Sequence, residues 1–457
     1  MIKKDARTPS GIPELDSVLK GGFLKGSLIL LAGHPGAGKT TFSATFIYKG
    51  ITLFNEKGVY LNFSESKDDF YTYMMNFGMN FRELEKEGKF RYIDALSVVN
   101  PRDLDEIIRF LVESIIDMDA KRVVIDSLST ITDLLSPEKT RALINNTLAK
   151  ILKKLGATTI LIMDLPYGET KIGHGIEEFI TDAVLILYSR VYDEKVERFM
   201  EIRKLRGLDI EMQVIPYVIK SNGLDFILPP SQAIEGRYLE IQYTTGVQEL
   251  DKMLRGGINK GTITGILGPA GSGKTVIALK IAIHNALSKR KVLYLSFTES
   301  EEQLKKRIEG LGYNFDEISE YLYLKAINPF GYPLNHLLAE FRDLIRKINP
   351  EIYVVDSLER FKLALGEERF IKYINRRTHE LKSSHLTTIL TMSANYPQER
   401  VYIDDIADNL IVLEIKYDEK KIERILYIWK TRGKKGEDKG ARISLNEDGN
   451  VVIQVLE

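Results

Sequence analysis

The sequence predicts an α/β protein of two tandem domains, each a mostly parallel, twisted sheet with helices on both faces. Three observations predict it. The chain repeats itself, feature after feature in one order. Each copy alternates short apolar runs with segments of helical spacing. Each copy also carries a glycine-rich loop between a strand and a helix, the arrangement that opens a parallel α/β unit.

Residues 11–40 read GIPELDSVLKGGFLKGSLILLAGHPGAGKT, and residues 246–275 read GVQELDKMLRGGINKGTITGILGPAGSGKT. The offset aligns Gly11 with Gly246, Asp16 with Asp251 and Lys39 with Lys274. Later features recur in the same order: Phe63–Ser66 with Phe297–Ser300, Val124–Leu128 with Val354–Leu358, and Lys204–Gly207 with Lys430–Gly433. This is a duplication of a whole domain, with a period far too long for a solenoid. The expected domains are 1–230 and 231–457. The boundary is placed at Leu228-Pro-Pro-Ser231, where consecutive prolines continue neither a helix nor a central strand.

Within the copies, Ser27–Ala32 and Thr262–Leu267 are short apolar strands leading into the glycine loops. Gly58–Phe63, Arg122–Ile125, Thr158–Met163 and Ala183–Leu187 are further buried strands. Leu104–Ile116 and Thr140–Leu155 have helical spacing. Alternation of this kind calls for a sheet covered on both faces. Glu197–Arg203 and Ile210–Lys220 read as paired antiparallel strands at a sheet edge.

Composition excludes several classes. The 457 residues are 44% hydrophobic and 28% charged, which fits a globular chain with ample core. Lys plus Arg number 64 and Asp plus Glu number 64; that balance argues against nucleic acid as a partner and against binding to a membrane surface. With no cysteine, disulfides, thiolate catalysis and Cys-ligated zinc are ruled out. No apolar stretch approaches the ~20 residues of a membrane helix. A cytoplasmic location is expected.

Both glycine loops fit G-x-x-x-x-G-K-[ST], a pattern met by chance about 4 times per 100,000 positions. Two matched hits, each between a strand and a helix, point to a triphosphate cradle. The candidate nucleotide-binding residues are Gly33, His34, Pro35, Gly36, Ala37, Gly38, Lys39, Thr40 and Thr41. In the second copy they are Gly268, Pro269, Ala270, Gly271, Ser272, Gly273, Lys274, Thr275 and Val276. The glycines let backbone N–H groups converge on phosphate oxygens, and the helix N-terminus adds partial positive charge. Lys39 and Lys274 are expected to reach the β- and γ-phosphates of ATP. Thr40 and Thr275, with Asp126 and Asp356 at the ends of apolar strands, are the candidate Mg²⁺ ligands.

Hydrolysis needs a group that orients or deprotonates the attacking water. Glu65 and Glu299 follow the second strand of each copy, whose end lies beside the phosphate loop in a parallel sheet. The adjacent run Glu301–Arg307 reads as a solvated helix face. Lys204 and Arg206, and their counterparts Lys430 and Arg432, close a strand in each copy. A basic pair there is placed to reach a γ-phosphate bound by a neighbouring subunit, so a homo-oligomer with ATP at its seams is expected.

Together these residues resemble the KaiC-like branch of the RecA superfamily, in both halves. Beyond the loops, the resemblance rests on the E-L-D…G-G…G lead-in, the glutamate site and K-x-R-G. Residues 42–51 and 177–184 are similar to the KaiC amino-terminal domain. The resemblance implies two tandem RecA-like P-loop NTPase domains, a hexamer of stacked rings, slow ATPase activity and ATP at each seam. KaiC has adjacent glutamates where this chain has Ser64-Glu65 and Thr298-Glu299, and the missing first glutamate is the family's favoured base, which implies weak hydrolysis. Asp404 and Asp405 stand where KaiC has Ser and Thr phosphosites; they read as solvated loop carboxylates, and KaiC-type phosphorylation is not expected there. Four readings stay open: a regulatory ATPase acting on an unidentified protein partner, a serine/threonine autokinase or protein kinase, a DNA-dependent motor, and a nucleotide-dependent scaffold.

Overall fold

A computed structural model describes residues 7–98, 100–210, 212–228, 241–383, 385–399, 401–418, 421–431, 440–446 and 451–456. The chain divides into two compact units, Met1–Leu228 and Pro229–Glu457. Of the expected boundary, Pro229, Pro230 and Ser231 lie outside the described residues.

In the first unit the described residues form a nine-stranded sheet. From one edge to the other its strands are Gly223–Phe226, Val214–Lys220, Lys195–Leu205, Ala183–Tyr192, Leu28–Gly33, Thr158–Asp164, Arg122–Asp126, Gly58–Asn62 and Phe90–Asp94. The six strands from Ala183–Tyr192 onward are mutually parallel, and the other three add as an antiparallel extension. The second unit repeats this order: Val451–Val455, Ala441–Leu445, Lys421–Thr431, Asn409–Asp418, Ile263–Gly268, Thr387–Ser393, Ile352–Asp356, Val292–Ser296 and Leu322–Ala326.

Period-two alternation sends successive side chains to opposite faces of the sheet. Ile29 and Leu31 therefore join the cluster of Phe42 and Phe46 from the helix Lys39–Phe54. Leu28 and Leu30 join Leu104, Ile108, Leu111 and Ile115 on the other face. The latter four recur at helical spacing on Pro101–Met118, which Asn100 caps by accepting from the N–H groups of Arg102 and Asp103. A sheet buried on both faces explains the unbroken apolar runs in its central strands. Among the described residues no helix is long and apolar enough to cross a membrane.

Three elements differ from expectation. Ala183–Tyr192 runs well past Leu187 and turns directly into Lys195–Leu205 through Asp193 and Glu194, both at positive φ. Two such residues make the tight turn whose twist matches the flanking strands. The helix expected over Thr140–Leu155 is interrupted by a π-helical turn, Leu143–Leu148, between Pro137–Ala142 and Ala149–Leu155. Its wider turn inserts a residue that averaged helical spacing does not reveal. At the sheet edge the partner of Lys195–Leu205 begins at Val214, so Ile210 belongs to the connection.

Candidate nucleotide sites

Parallel register sets the site. In the first unit Gly33 lies opposite Asp164, and Asn62 opposite both Asp126 and Asp94. The carboxyl ends of five adjacent strands thus form one lip, where ligands bind in open parallel sheets. In the second unit the same lip pairs Gly268 with Ser393 and Ser296 with Asp356.

The loop from Gly33 passes over this lip into the helix Lys39–Phe54. A Cβ on Gly33 would overlap the Leu187 carbonyl oxygen, so the strand can leave the sheet there only as glycine. The N-cap positions, Gly38 and Gly273, sit at φ 91 and 105 with no side-chain cap. The first-turn N–H groups therefore carry no protein side-chain acceptor, which is what an anion cradle needs. Pro35, Gly36, Ala270 and Gly271 are exposed on the rim, His34 and Pro269 are half-buried, and Ala37 is buried beneath the loop. Thr41 is buried and Val276 packs on the apolar core, so their side chains serve the helix–sheet contact rather than the cradle.

Lys39 Nζ donates to the carbonyls of Gly33 (2.9 Å) and His34 (3.2 Å) and pairs with Asp164 (3.1 Å). Lys274 Nζ donates to the carbonyls of Gly268 (2.7 Å) and Pro269 (2.8 Å), and burial lowers its pKa. Each ammonium is thus folded over the carbonyls of its own loop, and Lys39 has a carboxylate partner besides.

Beside each lysine lies a buried aspartate. Thr40 Oγ1 donates to Asp126 Oδ2 at 3.2 Å, and the Tyr60 hydroxyl donates to the same oxygen at 2.8 Å. Burial raises the Asp126 pKa against the lowering effect of those two donors. Asp356 has the matching tyrosine, Tyr294, donating to Oδ2 at 2.7 Å, while its threonine donor is Thr391 of the strand Thr387–Ser393, on Oδ1. Thr275 is half-buried at the start of its helix. A hydroxyl and a carboxylate are hard oxygen donors suited to Mg²⁺. Among the described residues no group of three or more His, Asp or Glu gathers to hold a metal by itself. An ion held here would therefore draw its other ligands from phosphates and water.

Glu65 and Glu299 leave the next strand through matched turns but end differently. Asn62 Oδ1 accepts from the N–H groups of Ser64 (2.8 Å) and Glu65 (3.1 Å); Ser296 Oγ accepts from Thr298 (3.3 Å) and Glu299 (2.9 Å). Glu65 Oε2 is buried with no hydrogen-bond partner, and burial, then Asp126 and Asp69, raise the Glu65 pKa. Glu299 instead engages Arg307 through both oxygens. Arg307 stays on the exposed helix face expected of the charge run and pairs with Glu299 from there. Another orphan lies in the second loop, the buried Ser272 hydroxyl beside Gly268.

The strand-end basic residues fold onto their own unit. Lys204 Nζ donates to the carbonyls of Glu178 (2.7 Å) and Thr181 (2.6 Å), and Arg206 pairs with Asp182 (3.1 Å). Lys430 Nζ donates to the Asp404 carbonyl at 2.9 Å. Arg432 lies outside the described residues. Asp404 and Asp405 sit on the short helix Tyr402–Ile406 rather than in a loop, and half-buried Asp404 accepts from the Tyr396 hydroxyl at 2.9 Å.

Sequence reasoning passed over Tyr60, Tyr294, Asp164, Thr391 and Tyr217. The two tyrosines occupy matched places in V-Y-L and L-Y-L, so comparing the copies residue by residue would have flagged them. Asp164, Thr391 and Tyr217 carry no local signal.

The family model described as ATPase: KaiC matches residues 8–231 and again 243–457. The chain is similar to the circadian clock oscillator protein KaiC of Thermostichus vulcanus, 29% identical over 454 residues, covering 95% of this chain and 86% of that protein. It is similar to the KaiC of Synechococcus elongatus, 27% identical over 446 residues, with 94% and 85% covered. With the circadian clock protein KaiC3 of a Synechocystis species it is 28% identical over 457 residues, with 96% and 90% covered.

Proposed function

The chain belongs to the KaiC ATPase family, and from that premise we propose that each half binds Mg²⁺–ATP and hydrolyses it slowly, in a homo-oligomer whose seams complete the sites. One observation carries the reading. In the first half the loop lysine Lys39, the helix-start Thr40 and the buried strand-end Asp126 meet on the carboxyl lip of a parallel sheet, and in the second half Lys274 and Asp356 stand together in the matched places.

Lys39 and Lys274 exchange loop carbonyls for β- and γ-phosphate oxygens, while the uncapped N–H groups of Gly38–Thr41 and Gly273–Val276 take the remaining phosphate charge. Thr40 with Asp126, and Thr275 with Asp356, would hold the Mg²⁺, which would neutralise phosphate charge. Tyr60 and Tyr294 keep their hydroxyl protons, because burial raises their pKa well above the ordinary value, and so hold the aspartates in place as donors. Glu65 and Glu299 orient the attacking water and accept its proton as the γ-phosphoryl of ATP passes to that water and ADP leaves. Lys204, Arg206, Lys430 and Arg432 serve the neighbouring subunit's nucleotide. A hexamer working on an unidentified protein partner accords with the family.

Steady-state ATPase of the wild type beside Lys39→Ala/Lys274→Ala and Glu65→Gln/Glu299→Gln tests this. The lysine pair abolishes turnover by removing nucleotide binding. The glutamine pair lowers turnover by about 10²-fold or more while leaving binding intact. A wild type no faster than the double lysine variant removes the enzymatic reading and leaves a nucleotide-dependent scaffold.

A further inference from the structure

The two glutamates expected to act on water are held in different ways. Arg307 Nε donates to Glu299 Oε2 at 3.0 Å and Nη2 donates to Oε1 at 2.6 Å, a fork that fixes the plane of the carboxylate. The Glu299 side chain is 20% exposed and that of Arg307 42%. Helix phase explains the contact. Ser300 caps the helix Glu301–Gly310 in a reciprocal box with Gln303. Arg307 lies two turns beyond Ser300, on the same face, and its long side chain reaches back toward the N-terminus to the residue before the cap. Beyond Glu299, the charges of Tyr294 and Asp356 also favour the charged form of Arg307.

Among the described residues the first half lacks this arm. The seventh residue after its cap, Ser66, is Tyr73, which is half-exposed. The cation on that helix, Lys67, pairs with Glu85 instead. The ionisable side chains acting most strongly on Glu65 are the acidic Asp126 and Asp69.

We propose that Arg307 is a positioning residue for the second nucleotide site, fixing the Glu299 carboxylate where it meets the attacking water, with no equivalent in the first site. Arg307 takes no proton and touches no substrate; it acts through Glu299. The proposal rests on the hydrolytic reading of Glu299 and adds to it the group that sets its orientation.

The test uses the full chain carrying Glu65→Gln, so that turnover reports mainly the second site. Adding Arg307→Ala lowers kcat by about ten- to a hundredfold, the cost of a misplaced reacting group, with the KM for ATP within about twofold. Arg307→Lys, which keeps the charge but not the fork, recovers part of the loss. In a Glu65→Gln/Glu299→Gln chain, Arg307→Ala changes nothing further. Light scattering and thermal melting confirm that each variant keeps its fold and assembly. Should Arg307→Ala fail to fold, Arg307→Lys with unaltered kcat overturns the proposal on its own. If Glu299→Gln leaves turnover unaltered, the hydrolytic reading of Glu299 fails and this role with it. If Glu299→Gln stops turnover while Arg307→Ala does not slow it, or slows it equally without Glu299, only the role of Arg307 is overturned.

Discussion

Glu65 shows how one side chain takes its chemistry from its surroundings. Its carboxyl is part-buried, one oxygen lacks a partner, and burial with Asp126 and Asp69 raises its pKa. Each influence favours the neutral form, so Glu65 holds its proton to higher pH than an exposed glutamate does. A group that accepts a proton from water works only when ionised. Turnover at the first site therefore falls at a higher pH than it would with an exposed glutamate in that place. The acid limb of the pH–rate profile of a Glu299→Gln chain measures this, and a rate that stays flat to well below the usual range counts against it. His34, on the same lip, goes the other way: burial, then Lys39, lowers its pKa and keeps the ring neutral beside Tyr167.

At the scale of elements, the antiparallel extension supports the phosphate loop. Val214–Lys220 joins the sheet through Lys195–Leu205 and carries buried Tyr217, whose hydroxyl donates to the Ala37 carbonyl. Burial raises the Tyr217 pKa, so the donor keeps its proton. Replacing it by Phe strands a buried carbonyl in the loop at a cost of roughly 1–3 kcal/mol, part of it recovered as the loop relaxes. In a Lys274→Ala chain, where only the first site binds, Tyr217→Phe should weaken ATP binding by about fivefold or more by calorimetry. Unaltered affinity would mean that the loop holds its shape without the brace. Arg122 does similar work deeper down: fully buried, it joins Glu56 (2.8 Å) to the Phe46 carbonyl (2.7 Å) and faces the Phe46 ring, tying the loop helix to the aspartate-bearing strand.

For the whole molecule, the proposed assembly makes nucleotide part of the subunit contact. Ligand that binds only the assembled state stabilises it by mass action. Light scattering with Mg²⁺–ATP should give a mass near six chains, falling when nucleotide is removed. A single-chain mass at every ATP concentration sinks the seam reading, and with it the roles given to Lys204, Arg206, Lys430 and Arg432. In the single chain Lys204 and Lys430 rest on carbonyls of their own unit, weak partners that phosphate oxygens can displace.

The sequence by itself determined the duplication, the α/β class, both phosphate loops and the aspartates that end a strand. Each of these is written in contiguous residues, where strand period, glycine placement and strand–loop–helix order impose a local pattern. The tertiary structure decided what those residues touch. Tyr60 reaches Asp126, Asp164 reaches Lys39 and Tyr217 reaches Ala37 only because parallel register and the antiparallel return bring distant segments to one lip. Arg307 is the sharpest instance. In sequence it closes a run of charges that reads as a wetted helix face, and only the helix packed beside the site turns it onto Glu299. Contacts across a sheet depend on register and helix docking, which no short window of sequence contains.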